Sequence, residues 1–202
     1  MEIKENLKRF WKFLKEDTWQ SWIVSLVLLV IFIKLIFFPT LTYLTGSPLP
    51  LVVIESCSLY HESDFEEWWS KNAIYYESKE ISKEEFESFP YKNGLNKGDI
   101  LLVLGKKQYN KGEIIIFNPN PDSTAPYPII HRLISDDPYA TKGDHNVDQL
   151  KRANNLHKID ETNIPDERIM GQASIRLVPY LGWAKLIFFE PLKSKEQRGF
   201  CK

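Results

Sequence analysis

Residues 129–148 run IIHRLISDDPYATKGDHNVD. The first six are branched and apolar apart from His131 and Arg132, which is the composition of a strand. Ser135-Asp136-Asp137-Pro138 is a turn signal, because Ser and Asp side chains bond nearby backbone and proline pre-sets its own φ. The two flanks are therefore expected to pair as a hairpin centred near residues 137 and 138. In that register His131 and Asp144 are equidistant from the centre. Directly opposed residues in an antiparallel pair carry Cβ atoms ~5 Å apart on one face, close enough for a carboxylate to bond an imidazole.

The same punctuation recurs on both sides of this stretch. Leu51–Ile54, Asp99–Leu104, Glu113–Phe117 and Gln172–Val178 are short apolar runs bounded by Gly, Pro, Asn or Asp. Together they predict a mainly β domain. Residues 61–93 interrupt it with nine Asp or Glu, four Lys and eight aromatic residues. Ser63-x-x-Glu66 and Ser82-x-x-Glu85 have the form of capping boxes, which predicts a small helical insertion with helices over about 63–78 and 82–89. Trp68, Trp69, Tyr75 and Tyr76 recur at helical spacing and are expected to pack on the sheet, leaving an acidic roof outside.

Nearer the N-terminus, Trp22–Phe38 (WIVSLVLLVIFIKLIFF) is apolar except for Ser25 and Lys34. At ~1.5 Å per residue it covers roughly 26 Å, and Trp19 and Thr40–Leu44 extend it toward the ~30 Å of a bilayer core. Lys34 lies toward the far end, where its stem can snorkel. Leu41–Ser47 offers no clear small-x-small cleavage site, which argues against a removed signal peptide. Lys4, Lys8, Arg9, Lys12 and Lys15 precede the run, and no Lys or Arg follows it until Lys71. The positive-inside rule then puts the N-terminus in the cytoplasm and residues 45 onward on the outer face of the cell membrane. The expected organisation is a cytoplasmic amphipathic segment (1–21), a transmembrane helix (22–44), an extracytoplasmic β domain (45–189) carrying the 61–93 insertion, and a tail (190–202). Leu186–Phe189, followed by Lys193, Lys195 and Arg198, suits either core packing or a membrane interface.

Composition narrows the function classes. The 202 residues are 43% hydrophobic and 26% charged, which excludes disorder and bounds the chain to one domain of ordinary size. Lys plus Arg is 26 against 27 Asp plus Glu, so nothing recommends nucleic acid as a partner. Cys57 and Cys201 are too few for a disulfide scaffold and are not spaced as zinc ligands. Outside the cytoplasm they form one bridge or none. No metal or cofactor is expected.

Acyl transfer needs a nucleophile, a base that takes its proton, and donors for the oxyanion. Ser56, Cys57 and Ser58 directly follow the 51–54 strand, so a turn there presents side chains at the edge of the sheet. With His131 and Asp144 they make a serine, histidine and aspartate set. The order of membrane span, Ser-x-Ser turn, His-Arg strand and Thr-Lys-Gly-Asp resembles type I signal peptidases, specifically the archaeal and endoplasmic-reticulum branch. Lys97-Gly98-Asp99-Ile100, Gly171 and Pro179-Tyr180-Leu181-Gly182-Trp183 resemble further segments of that family. The likeness covers roughly 22–58 and 97–187 and leaves the insertion outside.

The resemblance implies a signal-peptidase-like β domain and a residue-by-residue site. The family's second serine in Ser-Gly-Ser-Met maps onto Ser58 as nucleophile, and His131 stands where bacterial relatives place a lysine base. Asp144, or Asp148 at a shorter spacing than the family's second aspartate, orients the imidazole. The Ser58 amide and the Ser56 hydroxyl hold the oxyanion. Cys57 replaces the family's glycine, Leu59 its methionine, and Tyr60-His61 the polar residue and proline that follow, so Cys57 is an alternative nucleophile. The implied activity is a membrane-anchored serine endopeptidase removing signal peptides from exported preproteins, with the lipid bilayer and the secretion translocon as surroundings. The altered turn motivates a second reading, a non-catalytic relative that binds preproteins or assists assembly.

Overall fold

The computed structural model describes residues 2–195 and 198–202; Met1, Glu196 and Gln197, which belong to the expected cytoplasmic segment and tail, lie outside the described residues. The chain divides into two units, one ending at Leu44 and the other beginning at Thr45.

The first unit is helical. In α1 (Glu2–Leu14) the apolar residues Ile3, Leu7, Phe10 and Trp11 fall three or four apart, and all are exposed. Thr18 then caps an unbroken helix over Trp19–Thr45, its side chain accepting from Ser21 N at 3.3 Å. That helix consists of α2 (Trp19–Phe32), a π-helical turn (Ile33–Phe37) and α3 (Phe38–Thr45). The π turn has an identifiable cause. Pro39 has no N–H, and its ring would collide with the carbonyl of Leu35 four residues back. A wider turn, in which Phe38 N donates to Ile33 O, makes room for it. The helix is long and apolar enough to cross a membrane.

In the second unit β1 (Leu51–Val53), β2 (Ile100–Leu104), β3 (Ile114–Phe117), β4 (Ile129–Asp136), β5 (Tyr139–Lys142) and β6 (Ile169–Val178) form one antiparallel sheet in the order β1-β2-β6-β3-β4-β5. Helices α4 (Phe65–Glu77), α5 (Lys83–Glu87) and α6 (Trp183–Phe189) accompany it, so the architecture is mixed but β-rich. Every residue of β3 is buried, because side chains alternate between faces and both faces are covered. Ile114 and Ile116 pack with Val52, Leu101 and Val103, while Ile115 and Phe117 pack with Leu133 and Ile164.

The β4–β5 hairpin forms as expected but in a shifted register. Asp136 pairs with Tyr139 and Ser135 with Ala140, and the intervening turn contains a cis peptide at Asp137–Pro138. A bulge at Ile134 then brings Leu133 opposite Thr141 and Arg132 opposite Lys142. Continued one step, this register sets His131 opposite Gly143 rather than Asp144. The expected Asp144–His131 pairing is therefore corrected by one extra residue on β4.

Asp144 has a different place. Its carboxylate is fully buried and receives Arg132 Nε at 3.0 Å, Arg132 Nη2 at 2.7 Å, the Tyr76 hydroxyl at 3.0 Å and His61 Nε2 at 3.0 Å. The remaining Arg132 donors go to the carbonyls of Pro90, Gly112 and Tyr91, so all five N–H groups of a wholly buried guanidinium are satisfied. His61 stacks on Trp68 with centroids 3.7 Å apart, and the guanidinium lies 4.8 Å from the Phe86 ring. The insertion thus grips the sheet through this ion pair and through an aromatic cluster of Phe65, Trp68, Trp69, Tyr76 and Phe86 closed over Ile134 and Ala140. Its helices begin as the capping argument requires, with one adjustment. Ser82 caps α5, but Asp64, not Ser63, caps α4 by accepting from Glu67 N at 3.0 Å.

The insertion is consequently part of the core and not a removable roof. Replacing residues 62–92 by a short Gly-Ser loop is expected to abolish the cooperative thermal transition. Trp68→Ala alone is expected to lower stability by about 3–5 kcal/mol in denaturant titrations. A folded, sharply melting deletion variant would contradict this assignment.

Candidate active site

Ser58 lies in the irregular chain between β1 and α4, two residues after Ser56 and half-buried. Its carbonyl accepts from His145 N at 2.9 Å, and the Tyr60 amide donates to Cys57 O at 3.0 Å, which together shape the turn. The hydroxyls of Ser56 and Ser58 are 3.1 Å apart. Among the described residues the Ser58 amide donates to no protein acceptor.

His131 reaches the same place from β4. A Cβ on Gly143 would sit 2.8 Å from His131 Nε2 and 2.9 Å from the Ser58 carbonyl oxygen, so imidazole and serine turn share the space left by that missing side chain. Gly143 is needed here for close approach. The other imidazole nitrogen, Nδ1, is 2.5 Å from Glu161 Oε2. Glu161 is wholly buried and firmly held: Thr141 Oγ1 donates to Oε2 at 3.0 Å and Leu150 N to Oε1 at 2.7 Å. A carboxylate only accepts, so Nδ1 carries the proton of this bond and Nε2 is the nitrogen left on the Gly143 side, the placement that a histidine general base uses.

The sequence-derived set is thus partly assembled. His131 and the Ser58 backbone flank Gly143 from two sides, the Ser58 hydroxyl bonds that of Ser56, and the two aspartates do not join them. Asp144 serves Arg132, as described above. Although burial pushes its carboxyl up, the Arg132 guanidinium and the His61 hydrogen bond hold it well below the usual carboxylate range. Asp148 is exposed, accepting from Gln149 N at 2.7 Å and Lys151 Nζ at 3.0 Å. Glu161, the residue in contact with His131, went unrecognised from the sequence. It sits in a long irregular stretch between β5 and β6, with no motif around it.

Position also decides what Cys57 and the neighbouring Lys142 can do. Cys57 is bonded to Cys201 in a disulfide, so it carries no thiol nucleophile. Lys142 alternates with Thr141 along β5 and points to the opposite face from His131, toward the rings of Tyr75 and Tyr76. Its ammonium donates to the carbonyl of Gly143 at 3.1 Å, and burial draws its pKa down to about 8 against the pull of Asp144 and Glu161.

No family model matches the sequence, and no curated protein matches it. The candidate site rests on its own geometry.

Two predictions separate the acidic residues. Glu161→Gln is expected to fold normally and lose roughly 10³–10⁴-fold in turnover, because an amide no longer fixes the tautomer or stabilises the imidazolium. Asp144→Asn is expected to lose about 3–5 kcal/mol of stability by leaving Arg132 buried without its counter-charge. Circular dichroism melts run beside activity assays tell the two apart, and a well-folded, inactive Asp144→Asn would reverse the assignment. Lys142 makes a pH prediction. Its folded pKa lies below the unfolded value of ~10.4, so the unfolded state binds more protons between about pH 8 and 10.4 and this group's contribution to stability rises with pH there. Thermal midpoints of Lys142→Met should lack that rise; parallel curves for variant and wild type would refute it.

Proposed function

We propose that the chain is a membrane-anchored serine endopeptidase that removes signal peptides from preproteins, built on a signal-peptidase-like β domain. Ser58 is its nucleophile and His131 its base, and Glu161 takes the orienting role expected of Asp144 or Asp148. The observation that carries this reading is the Glu161–His131 couple, whose Nε2 meets the Ser58 turn across Gly143. A buried carboxylate behind a histidine that faces a serine turn is the chemistry of acyl transfer.

The steps follow from that arrangement. Neutral His131 accepts the Ser58 proton at Nε2 as Oγ attacks the scissile carbonyl, and Glu161 stabilises the imidazolium. The proton then passes to the leaving amine, and a water activated by the same nitrogen hydrolyses the acyl-enzyme. The Ser58 amide, with the Ser56 hydroxyl beside it, is suited to hold the oxyanion. Strand β1 is an edge of the sheet and leads into this turn, so an extended peptide can pair along its outer backbone.

The substrate class rests on the anchor. The Trp19–Thr45 helix is suited to span the cell membrane, and the basic residues before it favour a cytoplasmic N-terminus with the catalytic unit on the outer face, where preproteins emerge from the translocon. Ile187 and Phe188 on α6 and Leu192 beyond it are 64%, 76% and 82% exposed beside Lys185 and Lys193, a composition suited to an interfacial surface.

The test is cleavage of a preprotein by the detergent-solubilised full chain, with the cut located by mass spectrometry. Cleavage at the end of the signal peptide is expected, and Ser58→Ala or His131→Ala should each lower kcat at least ~10³-fold. Wild-type rates in Ser58→Ala would overturn the nucleophile.

A further inference from the structure

The nucleophile turn is held from behind by the C-terminal segment, which the catalytic reading does not use. Residues 54–64 have no regular secondary structure, yet the chain on either side of Ser56 is tied to residues far along the sequence. On one side, Lys193 Nζ donates to the Glu55 carbonyl at 2.9 Å and Lys185 Nζ pairs with the Glu55 carboxylate at 2.7 Å. On the other, Cys57 is covalently joined to Cys201 across a sequence separation of 144. The segment that supplies these ties is itself anchored. Glu190 Oε2 accepts from Gly199 N at 2.8 Å and from the buried Lys97 Nζ at 2.9 Å, and Lys97 Nζ also donates to Gly199 O at 3.0 Å. Phe200, next to Cys201, packs on Trp183 with centroids 4.4 Å apart.

We propose that residues 190–195 and 198–201 form a buttress that positions Ser58 against His131, and that the Cys57–Cys201 disulfide makes turnover conditional on an oxidising environment. The inference rests on Ser58 being the nucleophile. Its physical basis is that a base and nucleophile must be held to within fractions of an ångström, and an irregular turn has no ladder of backbone hydrogen bonds to do so. Cys57 is thus a positioning residue, one bond away from the serine it places. Reduction by a dithiol transfers two electrons and two protons: the S–S bond breaks, Cys57 and Cys201 become thiols, and the dithiol closes to its own disulfide. The bonds from His145 N to Ser58 O and from Tyr60 N to Cys57 O survive this, so the turn loosens without the sheet unfolding.

The experiment compares the full chain in detergent as oxidised protein, after dithiothreitol, and as Cys201→Ser, with thiol content verified by mass. Three quantities are measured on each: kcat and KM for one preprotein, amide hydrogen exchange, and the thermal midpoint. The expected result is a kcat loss of about tenfold or more with KM within about twofold, and recovery on reoxidation of the wild type alone. Exchange should quicken in 55–60 while β2 and β3 stay protected. Lys193→Ala, which keeps the disulfide and removes the tie to the Glu55 carbonyl, should show a smaller loss of the same kind. Unchanged kcat in fully reduced protein overturns the proposal. So does loss that appears only when β2 and β3 exchange as fast as the turn, since the disulfide would then be a staple of the whole fold. If the oxidised protein cleaves nothing, the proteolytic reading fails, and the exchange pattern alone judges the buttress.

Discussion

A single buried ion pair organises this domain. Arg132 and Asp144 are each removed completely from water, and such a pair is tolerable only when every donor and acceptor finds a partner. Meeting that requirement draws in the carbonyls of Pro90, Gly112 and Tyr91, the Tyr76 hydroxyl and the His61 ring. Those groups come from the insertion, the loop before β3 and the chain just after Ser58. One electrostatic demand therefore fixes where the insertion lies, where the loop after β5 runs, and how the segment containing the serine turn leaves the sheet.

Much of this was legible in the chain. The apolar helix, the strand candidates, the hairpin turn and the two helices of the insertion follow from hydrophobic period, turn residues and capping residues, all local signals. What was not legible depends on non-local geometry. A pairing between His131 and Asp144 requires an unbroken register, and the bulge at Ile134 has no marker in the residues around it. Once the register slips by one, Asp144 meets Arg132 in place of His131. The insertion is legible only in part for a related reason: its aromatic residues announce burial but not that Arg132 and Asp144 wait beneath them.

Glu161 is the instructive omission. Nothing in Ile159-Asp160-Glu161-Thr162 distinguishes it from a solvent-facing acidic residue. Its role comes from its surroundings, since the Thr141 hydroxyl and the Leu150 amide both donate to a carboxylate that has no exposure. A buried carboxylate beside a histidine is a strong functional sign in three dimensions and an invisible one in sequence.

The alternation of β4 has a genetic consequence. His131 bonds the buried Glu161 and Leu133 packs with Ile115 and Phe117, whereas Arg132 faces the insertion. If the proposed function holds, adjacent codons in one strand answer to different selective pressures, one for chemistry and one for a foldable chain. Under that proposal, damaging alleles at 131 would yield abundant, inert protein that competes for the same surroundings as the active form, and so act dominantly. Damaging alleles at 132 would yield little protein at all and behave as simple recessive losses.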